Sequence, residues 1–175
     1  INSSSVLFKK EILVSLENCM DLAMSNFPVL KGKTMSLSDN SGSSHGTFTS
    51  EYGSVTVSDI ANLSSVMTAI NSEEGYVGTF GDRLETQKID KNKRVLEQHK
   101  NLKTNVGAGT ENGIWLFFDK AIKEKEHWDN IFIYSDMQRG HGGLYGTNKN
   151  DYKDYTCRGN YIDVLKLVEK KKKKV

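Results

Sequence analysis

Apolar positions in the chain alternate between two spacings, and this alternation predicts strands and helices in turn. Short strands are predicted at residues 34–38, which follow a turn, and at residues 76–80. A continuous apolar run bounded by polar residues predicts a buried central strand at residues 131–135. Lys88 and Ile89 predict a short strand at the edge of the sheet.

Apolar residues repeated at intervals of three and four predict the helices. These segments are residues 8–24, 59–72, about 95–102, 114–125 and 161–169. The first helix is expected to pack on the sheet, and Ser58 is expected to cap the second. Residues 44–57 are rich in Gly, Ser and Thr without periodicity, so they are expected to form a loop. Trp115, Phe117 and Phe118 are expected in the core.

Strands that alternate with helices are typical of an α/β fold. We expect a doubly wound, mostly parallel sheet with helices on both faces. The 175 residues suit a single domain over 1–175, in which residues 1–27 form a helix leading into it and residues 170–175 form a basic tail.

Composition narrows the classes of function. With a net charge of +2, the protein as a whole has no strong electrostatic attraction to nucleic acid or to anionic lipid. Cys19 and Cys157 are too few for a disulfide framework or a structural zinc site, and they are expected to be reduced thiols. No apolar run approaches the roughly 20 residues of a membrane helix. These features predict a cytoplasmic protein that does not contact membranes.

Three polar clusters lie after predicted strands or just before a predicted helix. A doubly wound sheet binds its ligands in this region, beyond the carboxyl ends of its strands. Asp39, Ser41 and Ser43 follow the first strand, Thr110 lies in a glycine-containing loop, and Asp136 follows the late central strand. Carboxylates that face each other repel unless they share a proton or a cation. Hydroxyl and carboxylate oxygens suit a hard cation, so these five residues are candidate ligands of Mg²⁺ or Mn²⁺.

The Asp-x-Ser-x-Ser pattern at residues 39–43, with Thr110 and Asp136 downstream, resembles the metal-ion-dependent adhesion site of von Willebrand factor A domains. The resemblance spans most of the chain. More narrowly, residues 109–115 and 131–136, with a long helix before the first strand, resemble the A domain of the Ro ribonucleoprotein (TROVE) family.

The resemblance implies a Rossmann-like interaction domain, not an enzyme. It implies Mg²⁺ or Mn²⁺ held by Asp39, Ser41, Ser43, Thr110 and Asp136, with one coordination position open for an acidic residue of a protein partner. In Ro-like proteins RNA is bound by other domains, so RNA is expected only through a parent protein. A complete A domain continues past the last predicted helix, so its last strand is expected to be missing here.

A different reading of the same stretch predicts a serine hydrolase. Residues 42–46 satisfy Gly-x-Ser-x-Gly, the nucleophile elbow of α/β-hydrolases, with Ser44 as nucleophile and Asp136 and His141 in the chain order of that fold. The spacing disfavours this alternative because Asp39 to Ser41 separate the strand from the first Gly, and because His141 follows Asp136 so closely.

Overall fold

A computed structural model describes residues 3–46, 53–109, 114–136 and 169. In these residues the helices are α1 (Ser3–Met24), α2 (Gly42–Gly46), α3 (Val57–Ile70), α4 (Val95–Lys100) and α5 (Trp115–Lys123). The strands are β1 (Leu30–Asp39), β2 (Ser72–Phe80), β3 (Leu84–Lys88) and β4 (Asn130–Tyr134). Of the predicted final helix, residues 161–168 lie outside the described residues, as do Cys157 and the basic tail.

The described strands form one open, mixed sheet in the order β3-β2-β1-β4. β1 pairs in parallel with β2 on one side and with β4 on the other. β3 is antiparallel to β2 and lies at the edge of the sheet, where Lys88 and Ile89 predicted a short strand. The chain is therefore an α/β protein with three parallel strands, and its central strand is the one that runs into the Asp-x-Ser-x-Ser stretch.

One face of β1 is apolar and packs against α5. Met35 and Leu37 are buried together with side chains of β2 and α5, which confirms the predicted aromatic core. Phe117 is 1% exposed, and its ring lies 5.5 Å from those of both Phe118 and Trp128. Large side chains therefore fill the space between the sheet and this helix.

The opposite face of β1 is polar and packs against α3. Thr34, Ser36 and Ser38 are all fully buried. The helix meets them with a stripe of small and polar residues: Ser58, Ala61, Asn62, Ser65 and Ala69. Of the apolar residues whose spacing predicted this helix, Val66 is fully buried, and Leu63, Met67 and Ile70 pack beside it against a second core cluster. Ile60 differs from them, because it is 48% exposed. The short side chains of β1 leave room for the helix to come close to the strand. Only the stripe of small residues of α3 can occupy that space.

The start of α3 differs from the prediction by two residues. Thr56, not Ser58, is the N-cap: its hydroxyl accepts from the backbone N–H of Asp59 at 3.2 Å. The Asp59 carboxylate in turn accepts from the backbone N–H of Thr56 at 2.9 Å. The two residues form a capping box, which satisfies donors at both ends of the first turn and so fixes the start.

The prediction that α1 packs on the sheet was wrong for most of its length. Only its carboxyl-terminal end joins a core cluster, through Met20 and Met24. The rest lies beside α4, where Arg94 pairs with Glu17 at 3.1 Å. Ile12 and Leu16, which belong to the predicted apolar stripe, are 44% and 52% exposed. Helical periodicity identified the element but did not identify what it contacts.

The segment after β1 also differs from the predicted loop. Residues Gly42–Gly46 form the short helix α2, which contains Ser43 of the Asp-x-Ser-x-Ser pattern, whereas Ser41 directly precedes the helix. Residues 47–52 lie outside the described residues. Of the predicted loop, residues 44–46 are therefore helical, whereas residues 53–55 have no regular secondary structure, as expected.

Candidate metal site

Asp39 is the last residue of β1 and is fully buried. Its Oδ1 accepts from the backbone N–H of Ser41 at 3.0 Å, and its Oδ2 accepts from the hydroxyl of Ser135 at 2.6 Å. No ion pair within the described residues involves Asp39. A carboxylate removed from water without a countercharge is costly, so this position favours a bound cation.

Ser41 and Ser43 place two hydroxyl oxygens next to this carboxylate. Their Oγ atoms lie 3.1 Å apart. In an octahedron around Mg²⁺, with ligands at about 2.0–2.1 Å, neighbouring ligand oxygens are separated by about 2.9 Å. The separation is that of a hydrogen bond between the two hydroxyls, and it is also close to the spacing of two adjacent ligands. The oxygen donors present therefore fit a hard divalent cation.

Asp136 follows β4, the parallel neighbour of β1. The register pairs Leu37 with Ile133 and Ser38 with Tyr134, so the two strands end at the same level. One carboxylate oxygen of Asp136, Oδ2, is buried. The sheet thus brings the second predicted acid to the same edge as the first, with Ser135 bonded to Asp39 between them.

The loop that leads toward Thr110 lies against the serine turn. The backbone N–H of Gly42 donates to the carbonyl of Ala108 at 2.9 Å. A Cβ on Gly42 would lie 3.4 Å from the Cβ of Ala108, which is an ordinary van der Waals contact. Thr110 itself lies outside the described residues, and its predicted role stays a prediction.

A buried amide pair supports the turn, and the sequence reasoning did not identify it. Asn40 and Asn62 donate to each other's side-chain oxygens at 2.9 Å in both directions. The hydroxyl of Ser38 also donates to Oδ1 of Asn62, at 2.6 Å. In the sequence, the only indication of such a pair was a polar residue, Asn62, within a predicted helix, next to Ala61 and three residues before Ser65.

The hydrolase alternative would require an accessible Ser44. Ser44 is fully buried in α2, 3.5 Å from the Oγ of Ser41. The nearest histidine in sequence, His45, has its Nδ1 2.9 Å from the hydroxyl of Ser58. His141 lies outside the described residues. A nucleophile must reach its substrate, so the burial of Ser44 speaks against this reading.

One titratable group near the turn is perturbed. The pKa of Asp59 is lowered, chiefly because the backbone N–H of Thr56 donates to its carboxylate, with a further contribution from the Thr56 hydroxyl; partial burial opposes this effect. The lowered pKa keeps the capping carboxylate ionised at the start of α3. It is thus a feature of the scaffold beside His45 and Ser58, and it adds no ligand to the cation site.

The described residues contain no cluster of three or more His, Cys, Asp or Glu side chains suited to a metal. A site built from two carboxylates and hydroxyls would not form such a cluster.

Within the same residues, no helix has both the length and the apolar character needed to cross a membrane. Comparison with protein-family models, with curated proteins and with solved structures found no match.

Proposed function

We propose that the chain is a metal-ion-dependent protein-interaction module of the von Willebrand factor A type, and not an enzyme. Asp39, Ser41, Ser43, Thr110 and Asp136 hold Mg²⁺ or Mn²⁺, and the open position of the cation binds a carboxylate of a protein partner. The observation that carries this proposal is the buried carboxylate of Asp39 beside two serine hydroxyls at near-octahedral spacing.

The strand order supports the same location. The order β3-β2-β1-β4 has the same neighbours as the first four strands of the doubly wound order 3-2-1-4-5-6, except that β3 is antiparallel here. In that arrangement β1 and β4 flank the point where the strand order reverses, and ligands bind beyond the carboxyl ends of those strands. Asp39 and Asp136 follow these two strands.

The ligand set also suits an acidic partner. Three of the five proposed ligands are neutral hydroxyls, so the protein supplies at most two negative charges to a divalent ion. Further anionic oxygens are therefore attracted and are not repelled by excess negative charge. An Asp or Glu side chain of another protein provides such an oxygen, and the bond is lost when the cation is removed.

The narrower resemblance extends the proposal to the parent protein. As the A domain of a Ro-like ribonucleoprotein, this module makes protein contacts, and other domains of the parent protein bind RNA. The residue pattern at 109–115 and 131–136 is the feature that supports this extension.

Calorimetric titration with Mg²⁺ and Mn²⁺ tests the site. The wild-type chain is expected to bind one ion, and Asp39→Ala is expected to lose this binding while remaining folded. Asp119→Ala is the matched control, because it removes a carboxylate of α5 whose ion pair within the described residues is with Lys123, four residues on. Absence of binding by the folded wild-type chain, or equal binding by Asp39→Ala, would overturn the proposal.

A further inference from the structure

Ser135 was not among the predicted site residues, yet it touches the proposed site directly. It follows the last residue of β4, and its Oγ lies 2.6 Å from Oδ2 of Asp39. An ionised carboxylate only accepts hydrogen bonds, so the hydroxyl of Ser135 is the donor. Such charge-assisted bonds are short and strong.

The register of the sheet explains why these two residues meet. Met35 pairs with Ile131, and Leu37 pairs with Ile133. Continuing the same parallel register by two residues brings Asp39 beside Ser135 on the same face of the sheet. The contact is therefore built from the backbone of two neighbouring strands.

This bond completes a two-sided clamp on the Asp39 carboxylate. The backbone N–H of Ser41 holds Oδ1 from the serine turn, and Ser135 holds Oδ2 from β4. With both oxygens held, the plane of the carboxylate is fixed, and each oxygen keeps a second lone pair for a cation. The same bond ties the end of β1 to the end of β4, which precedes Asp136.

We propose that Ser135 is a positioning residue of the metal site, which orients Asp39 toward the cation without binding the cation itself. This inference rests on the proposed function, because it assumes a cation at Asp39. Groups that hydrogen-bond to metal ligands from outside typically change metal affinity 10- to 100-fold when they are removed. We expect Ser135 to act within that range.

Mn²⁺ titration of four variants tests the role. Ser135→Ala is expected to bind Mn²⁺ about 10- to 100-fold more weakly than the wild type. Ser135→Thr keeps the hydroxyl and is expected to retain wild-type affinity. Ser135→Cys has a side chain of similar size but only a weak S–H donor, so it is expected to bind Mn²⁺ more weakly than Ser135→Thr. It replaces Ser135→Ala in this comparison if the alanine variant does not fold.

Ser36→Ala is the matched control. Ser36 is equally a buried serine of the sheet, but its Oγ has no hydrogen-bond partner among the described residues. Its replacement is expected to leave Mn²⁺ affinity unchanged. Without metal, Ser135→Ala is expected to unfold at a lower temperature than Ser135→Thr, because it removes a donor to a buried carboxylate. The Mn²⁺ affinities are therefore compared at a temperature at which both variants are folded.

The outcomes separate this inference from the function on which it rests. Wild-type binding that survives in Ser135→Ala and Ser135→Cys would overturn the positioning role and leave the metal site standing. Failure of Ser135→Thr to restore affinity would also overturn that role, because a retained hydroxyl would then have no effect. A folded wild-type chain that binds no cation would overturn both.

Discussion

The two faces of β1 are both buried but are built in opposite ways. On one face Met35 and Leu37 pack among aromatic side chains of α5. On the other face Thr34, Ser36 and Ser38 lie under the small residues of α3. Large apolar side chains bury the most surface and so contribute most to folding free energy. Small polar side chains contribute less, but they permit close approach of the helix.

The close approach has a specific result at the proposed site. It brings Asn62 of α3 within hydrogen-bond distance of Ser38 and Asn40, at the end of the strand. A bulkier face would hold α3 farther from the sheet and separate these side chains. The comparison therefore suggests that the α5 face mainly stabilises the fold, whereas the α3 face mainly places the turn that bears the proposed ligands.

Phe117→Ala is expected to have the largest effect on stability. Phe117 is buried on the α5 face, and its ring packs against Phe118 and Trp128. Truncation removes buried apolar area and leaves a cavity, which typically costs about 3–5 kcal/mol of unfolding free energy. Urea unfolding followed by circular dichroism measures this loss. A cost below that of the α3-face variants would reverse the assignment of the two faces.

Gly75→Ala is expected to have the next largest effect, on the α3 face. A Cβ at Gly75 would lie only 1.8 Å from the carbonyl oxygen of Ala69, so the strand and helix backbones must move apart. Overpacking of this kind typically costs about 1–3 kcal/mol. The same unfolding measurement checks it.

Gly46→Ala is the matched control for that variant, because a Cβ at Gly46 meets no atom of the described residues within 4 Å. Its unfolding free energy should change much less than that of Gly75→Ala. If the two variants unfold alike, close approach of α3 to the sheet is not what Gly75 provides.

Ser36→Ala is expected to have the smallest effect, within about 0.5 kcal/mol of the wild type or slightly stabilising. Its buried Oγ has no partner among the described residues, so its removal breaks no described bond. Ser38→Ala is the contrasting variant because it breaks the bond to Asn62, and it should cost about 1 kcal/mol. Equal costs for the two variants would show that the hydrogen bond does not distinguish these positions.

The sequence predicted the described strands and four of the helices because periodicity reports which positions share a face. It also predicted that Asp39 and Asp136 would stand at the ends of strands at one edge of the sheet, and the parallel register of β1 and β4 agrees with this placement. It did not identify the stripe of small residues of α3 that faces β1, because apolar periodicity marks only the positions, such as Val66, that join an apolar core cluster. β1 packs against the small residues of α3 because its own side chains on that face are short. The sequence of the helix by itself does not contain this information.

Ser135 and Asn62 were missed for a related reason. Serine and asparagine occur so often at turns and on surfaces that neither residue signals a role until the pairing register is known. Once Leu37 is paired with Ile133, the neighbour of Asp39 follows by counting. Side-chain bonds across elements are thus the part of the candidate site that depends on tertiary structure.

The central position of β1 has a consequence for exchange of its amide hydrogens with solvent. A strand bonded on both sides and covered on both faces is reached by water only in the rarest openings, whereas α1, exposed along most of its length, opens more readily. The turn at Asp39 to Ser41 continues directly from that strand and is itself buried. Its protection against exchange should therefore resemble that of the core more than that of a surface loop.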